Sequence, residues 1–188
     1  MTERRQWAVV IAIVAGLAVT GAVTTKMMGN RIAPVAPGSQ APNFHAVRIT
    51  SDSVTPPVTF ANYAGQVTIV NIWATWCSPC RAEMPSLQQL AQDLGPAGLK
   101  VVAVSIDNPR MEQPIRDFAK EFGLTFDILY DAAGAIQSDY QTTGVPETFV
   151  IGKDGVIRKR VVGGSDWSAE PEKALIRQLL AEPASSSR

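Results

Sequence analysis

One histidine and two cysteines are all that 188 residues hold of these types, and the formal net charge is zero. A structural zinc takes four ligands, usually two cysteine pairs or one pair with two histidines. Cys77, Cys80 and His45 fall short of that set unless carboxylates or a second chain complete it. With 17 Lys and Arg against 17 Asp and Glu, no net field selects nucleic acid or an acidic partner. No internal repeat is present, and the length suits one domain with a full core better than two. No cysteine follows the apolar run near the start, which excludes lipid attachment through an N-terminal cysteine.

That run, residues 7–25 (WAVVIAIVAGLAVTGAVTT), carries no charge. As a helix it rises about 28 Å, close to the ~30 Å hydrocarbon thickness of a bilayer. Arg4 and Arg5 precede it and Lys26 and Arg31 follow, so only the α-amino group tips the balance toward an N-terminus inside. The segment reads as one transmembrane anchor behind a cytoplasmic stretch 1–6. A secretory signal peptide, cleaved near Val19-Thr20-Gly21, is the alternative. Either reading places the rest of the chain outside the cytoplasm, on the periplasmic or extracytoplasmic side. Residues 26–41, with prolines, glycine and serine, read as a tether. The folded domain is expected over 42–182 and a flexible tail over 183–188.

Within the domain, VTIVNIW (67–73) is a β-branched run expected as a strand buried on both faces. SPCRAEMPSLQQLAQDL (78–94) is expected as a helix with Leu87, Leu90, Ala91 and Leu94 on one face. LKVVAVSI (99–106) is a second buried strand. PIRDFAKEFG (114–123) has Pro114 suited to a first helical position and Gly123 to a stop. A short strand near 125–130, a short helix near 132–140, a hairpin through Lys153-Asp154-Gly155 and a closing helix near 168–181 follow. Residues 43–66 read as irregular with one small hairpin. The order implies an α/β domain, a central mixed sheet with helices on both faces.

The cysteines stand three apart in NIWATWCSPCRAEMP, residues 71–85. A disulfide closing so small a loop gains little chain entropy, so a purely structural bridge fits poorly. Copper(I) accepts two thiolates, with His45 as a third ligand, and copper delivery stays an alternative. A working dithiol fits the surroundings. Cys77 falls at the predicted start of a helix, where free N–H groups and the dipole stabilise a thiolate, the species that attacks disulfides. Cys80, one turn on, points inward to resolve a mixed disulfide. Pro79 stiffens the turn, and Trp76 shields the site while offering a partner an apolar edge.

These residues, with GVPETF (144–149), resemble the thioredoxin superfamily, in its membrane-anchored TlpA/ResA/CcmG (DsbE) branch of thiol-disulfide oxidoreductases. The resemblance covers most of 41–165, including QAPNF and VIGKDGVIRKRVVGG. It implies a thioredoxin-like fold, and a cis-proline at Pro146 beside the sulfurs. There Val145 presents its backbone to an extended client, and a third metal ligand is kept away. It implies that Pro85 bends the active-site helix and that Glu83 influences the cysteine pKa values; the bland alternative for Glu83 is a solvated helix face. Glu147 places a negative charge near the thiols, or else faces water from a strand. Asn71 stands where thioredoxin itself has a buried Asp, so it cannot accept a proton from Cys80, and that role falls to Glu83 or water. The Arg158-Lys159-Arg160 run is expected as a solvated face rather than a nucleic-acid patch.

The resemblance implies a protein-disulfide reductase without a bound cofactor or metal, its electrons carried by Cys77 and Cys80. The implied clients are disulfides formed during cytochrome c maturation, in the apocytochrome or its haem-handling chaperone, and a membrane thiol donor re-reduces the pair. A general disulfide-forming oxidant is the other alternative, because a tenfold change in the dithiol–disulfide equilibrium is only about 30 mV.

Overall fold

The strands and helices follow the expected alternation. In the computed structural model they run β1 (His45–Ile49), β2 (Val54–Thr59), β3 (Thr68–Trp73), α1 (Ser78–Leu94), β4 (Lys100–Ser105), α2 (Glu112–Glu121), β5 (Asp127–Tyr130), α3 (Ala135–Asp139), β6 (Glu147–Ile151), β7 (Ile157–Val162) and α4 (Glu170–Ala181). The structure describes residues 7, 11–17, 20 and 34–183. They fall into two units, Met1–Pro34 and Val35–Arg188.

In the first unit, residues 11–17 are helical and expose Ile11, Ile13, Val14 and Leu17. Most of the expected span 7–25, the whole of the stretch 1–6 and all but the first residue of the expected tail lie outside the described residues. Among those described, no helix is long and apolar enough to cross a membrane.

The second unit is one seven-stranded sheet in the order β2-β1-β5-β4-β3-β6-β7. β3, β4 and β5 are mutually parallel, and the remaining pairs are antiparallel, so the sheet is mixed. β3 is buried along its whole length, as its unbroken β-branched run requires. Its pleat sends Ile69 and Trp73 to one face and Val70 and Ile72 to the other. The first face is covered by Met84, Leu87 and Leu90 of α1, Ile115 and Phe118 of α2, and Ile176 and Leu179 of α4. The second is closed by Ile136 of α3 with Phe44, Tyr63 and Tyr140. Each buried Leu or Ile contributes about 1.5–3 kcal/mol, which ties α1 to the sheet through several anchors.

Three differences from the sequence reading matter. Packing begins at Val35, not Pro42: Val35 is buried, Gly38 turns the chain at φ 95°, and Gln40 bridges Val156. The tether expected over 26–41 therefore gives up its last residues to the domain. The hairpin within 43–66 is present, but β1 also pairs with β5, so it extends the central sheet. α2 starts at Glu112, two residues before Pro114. One edge of the sheet is β2, whose sequence VTPPVT places Pro56 and Pro57 there.

The register gathers three chain segments at one end of the sheet. Trp73, the end of β3, pairs with Ser105, the end of β4, while Ile72 pairs with Glu147, the start of β6. The turn to Cys77, the residues after Ser105 and the segment ending at Pro146 thus meet there.

Candidate active site

Cys77 is the N-cap of α1, and a disulfide joins it to Cys80 with their Cα atoms 5.2 Å apart. Its backbone is extended (φ −83°, ψ 107°), and the Cys80 N–H donates to its Sγ at 3.2 Å. The sulfur therefore occupies the position of a capping oxygen, where a thiolate gains from the helix N–H groups and dipole. Pro79 stands in the first turn of α1 and carries no N–H to cap. Cys80 is completely buried, Cys77 nearly so, and Trp76 beside them is 66% exposed. Pro85 lies inside α1, as the sequence places it.

Glu83 lies one turn beyond Cys80 on the same helical face. It is only 3% exposed, so it is not the solvated glutamate of the bland reading. Asn71 of β3 donates to Oε1 at 2.8 Å, and the Ser165 N–H (3.1 Å) and Trp167 Nε1 (3.3 Å) donate to Oε2. Asn71 also donates to Thr148 Oγ1 at 2.8 Å, which holds its amide between α1 and β6. Burial pushes the Glu83 carboxyl above its ordinary range, and the three donors only partly oppose this. Pro79, Glu83, Ser86 and Ser165 line a surface groove of about 710 Å³ beside the cysteines.

The Val145–Pro146 bond is cis, as the resemblance implies, and the Gly163 N–H donates to the Pro146 carbonyl at 2.9 Å. Glu147 is fully buried rather than facing water. Its carboxylate accepts from Arg160 Nε and from the Thr143 N–H at 3.0 Å. The same guanidinium donates to the carbonyls of Val35 (2.7 Å) and Gln141 (2.8 Å) and lies over the Phe149 ring. Arg160 is thus a clamp on the loop leading to Val145 and Pro146, not part of a solvated face. Lys159 and Arg158 are also engaged, with Glu172 and Asp154.

Residues 37–160 match the AhpC/TSA family. The chain is 34% identical to the thiol-disulfide oxidoreductase ResA of Geobacillus thermodenitrificans over 129 residues, 69% of this chain and 71% of that one. The chain belongs to the AhpC/TSA family. Thioredoxin-like protein YneN of Bacillus subtilis is 31% identical over 160 residues, 85% of this chain and 91% of YneN. A solved thiol:disulfide interchange protein of Chlorobium tepidum, of the thioredoxin family, superposes with a TM-score of 0.62 at 26% identity and covers 79% of this chain and all of its own. The fold of this AhpC/TSA member is thioredoxin-like.

His45, the third copper ligand of the alternative reading, is exposed at the start of β1, three strand positions from β3 in the sheet. That is about 14 Å at the usual strand spacing. Among the described residues no group of three or more His, Cys, Asp and Glu is placed to hold a metal. Sequence reasoning missed Arg160, Ser165, Trp167 and a cluster of Thr75, Ser105 and Asp107. The GG dipeptide after β7 was the one available signal for the Ser165–Trp167 loop: a Cβ on Gly164 would stand 3.3 Å from the Pro79 carbonyl. That close approach brings the loop over α1 and onto Glu83.

Proposed function

We propose that this thiol-disulfide oxidoreductase reduces disulfides in client proteins outside the cytoplasm, tethered to the outer face of the cytoplasmic membrane by residues 7–25. The observation that carries the reading is a disulfide at the N-terminus of α1 with the buried Glu83 carboxyl one turn beyond its inner sulfur. In the dithiol state, the Cys77 thiolate attacks a client disulfide, forming an intermolecular S–S bond and releasing one client thiolate. Cys80 passes its proton to Glu83 and attacks the Cys77 sulfur, and the second client thiolate leaves. Both client thiolates take up protons, so two electrons and two protons move from the pair to the client. The pair carries the electrons without a bound cofactor, and a membrane thiol donor restores the dithiol.

The backbone of Val145 and Pro146 binds an extended client, with Trp76 as its apolar edge. Carboxylates near the sulfurs disfavour the thiolates and hence the dithiol form, which supports the reducing direction. The likeness of residues 71–85 and 144–149 to the TlpA/ResA/CcmG branch supports apocytochrome c or its haem chaperone as client. The exposed apolar residues of the 11–17 helix support the anchor.

Equilibration with glutathione tests the direction: a potential more oxidising than the glutathione couple refutes the reductant role. Cys80→Ala leaves Cys77 linked to its client, and the trapped partner names the substrate. Tight Cu(I) binding with no trapped client would favour the copper reading instead.

A further inference from the structure

We infer that Asp107 is a positioning residue that fixes the nucleophile-bearing turn and, through its charge, holds the Cys77–Cys80 pair toward the disulfide. Asp107 follows β4 and is 1% exposed. Its Oδ2 accepts from the Ser105 hydroxyl at 2.7 Å and the Thr75 N–H at 3.0 Å, and its Oδ1 accepts from the Thr75 hydroxyl at 2.8 Å. The Asp107 N–H returns a bond to Ser105 Oγ at 3.1 Å, which locks the carboxylate's own backbone.

Thr75 is therefore held by backbone and side chain together, two residues before Cys77. The turn also closes on itself, because the Cys77 N–H donates to the Ala74 carbonyl at 3.2 Å. Where Sγ sits over the α1 N-terminus depends on this turn, and Asp107 is the group that pins it to β4. Neutral donors alone make these contacts. No ion pair among the described residues cancels the charge. Charged or titratable groups on the packed elements include Glu83, the Glu147–Arg160 pair, Arg81, which is paired with Glu121, and the Tyr130 phenol, which feels both Asp107 and Glu112. A buried negative charge beneath the turn disfavours a thiolate at Cys77. A less stable thiolate makes the dithiol the stronger electron donor. An asparagine would serve a plain turn with less desolvation, so the carboxylate itself is the informative choice.

The inference rests on the dithiol reading above but not on its direction, because it compares variants with the parent. The test equilibrates full-length parent, Asp107→Asn and Thr75→Val with glutathione buffers and reads the dithiol fraction by alkylation. A second readout is the pH profile of Cys77 alkylation. Asp107→Asn keeps the shape and removes the charge. Its equilibrium is expected to move toward the dithiol by about tenfold, equivalent to about 30 mV, with the Cys77 profile shifted to lower pH. Thr75→Val keeps the charge and removes one donor, and is expected to stay within about twofold of the parent or move toward the disulfide. Two results overturn the inference: Asp107→Asn within twofold of the parent, or Thr75→Val moving toward the dithiol by several fold. If Asp107→Asn does not fold, the direction of Thr75→Val decides alone. The parent's own potential answers the separate question of electron direction.

Discussion

Replacing Arg160 with Met removes the one cation paired, among the described residues, with the fully buried Glu147 carboxylate while leaving a side chain of similar length. Stripping one partner from a buried ion pair costs about 3–5 kcal/mol, because the remaining charge stays desolvated. Arg160 is 20% exposed along its side chain, so water reaches part of the vacated place and the lower end applies, about 3 kcal/mol. The Val35 and Gln141 carbonyls lose a charged donor, which adds about 1 kcal/mol after rehydration. The expected loss is therefore about 4 kcal/mol, or about 8–16 °C in Tm for a domain of this size. Urea unfolding of the oxidised protein measures it. Adding Glu147→Gln removes the stranded charge and should recover about 2 kcal/mol, since the two side chains are coupled. The reasoning fails if Arg160→Met loses under about 1 kcal/mol, or if the double variant is no more stable than the single one.

The remaining expectations concern the acid, the core and the exposed edge. Glu83 titrates above its ordinary value of 4.5 when folded, so the folded state binds that proton more tightly than the unfolded chain. Its contribution is complete below pH 4.5 and is lost as pH rises through the folded value, so parent stability should fall relative to Glu83→Gln across that window. Parallel urea-stability curves for the two proteins would contradict this. Leu87→Ala, in the fully buried face of α1, should cost about 3–5 kcal/mol in the same urea assay. Trp76→Ala, at an exposed position, should leave stability within about 0.5 kcal/mol while raising KM for a protein disulfide; an unchanged KM removes Trp76 from the client surface.

The parts legible in the sequence were those with local signals. β3 and α1 show their burial in seven- and seventeen-residue patterns, with Cys77 capping α1 and Cys80 in its first turn. GVPETF marks the second wall of the site by its likeness to known sequences. The rest depends on contacts that no local pattern announces. Glu147 meets Arg160 thirteen positions later only because β6 and β7 pair. Asp107 looks like a loop residue before Asn-Pro, and two of its donors lie thirty-two positions earlier at Thr75. The proline and glycine content of residues 34–41 gives no sign that Gln40 pairs with Val156, because the partner is more than a hundred residues away. β1 joins the main sheet through β5, another pairing that periodicity does not encode.

The two prolines on β2 bear on how copies of the protein behave toward each other. A sheet that ends in an ordinary strand offers a ladder of free N–H and C=O groups, on which a second chain can continue it. Pro56 and Pro57 are adjacent and their nitrogens face opposite sides of the strand, so one of them withdraws a donor from that ladder, and at the opposite edge Gly38 and Ser39 already bond Ile157, the first residue of β7. Lateral growth of the sheet is interrupted at both edges. Sheet-to-sheet polymerisation is thereby discouraged, while the reactive end, a quarter-turn away from both edges, stays open to a visiting chain.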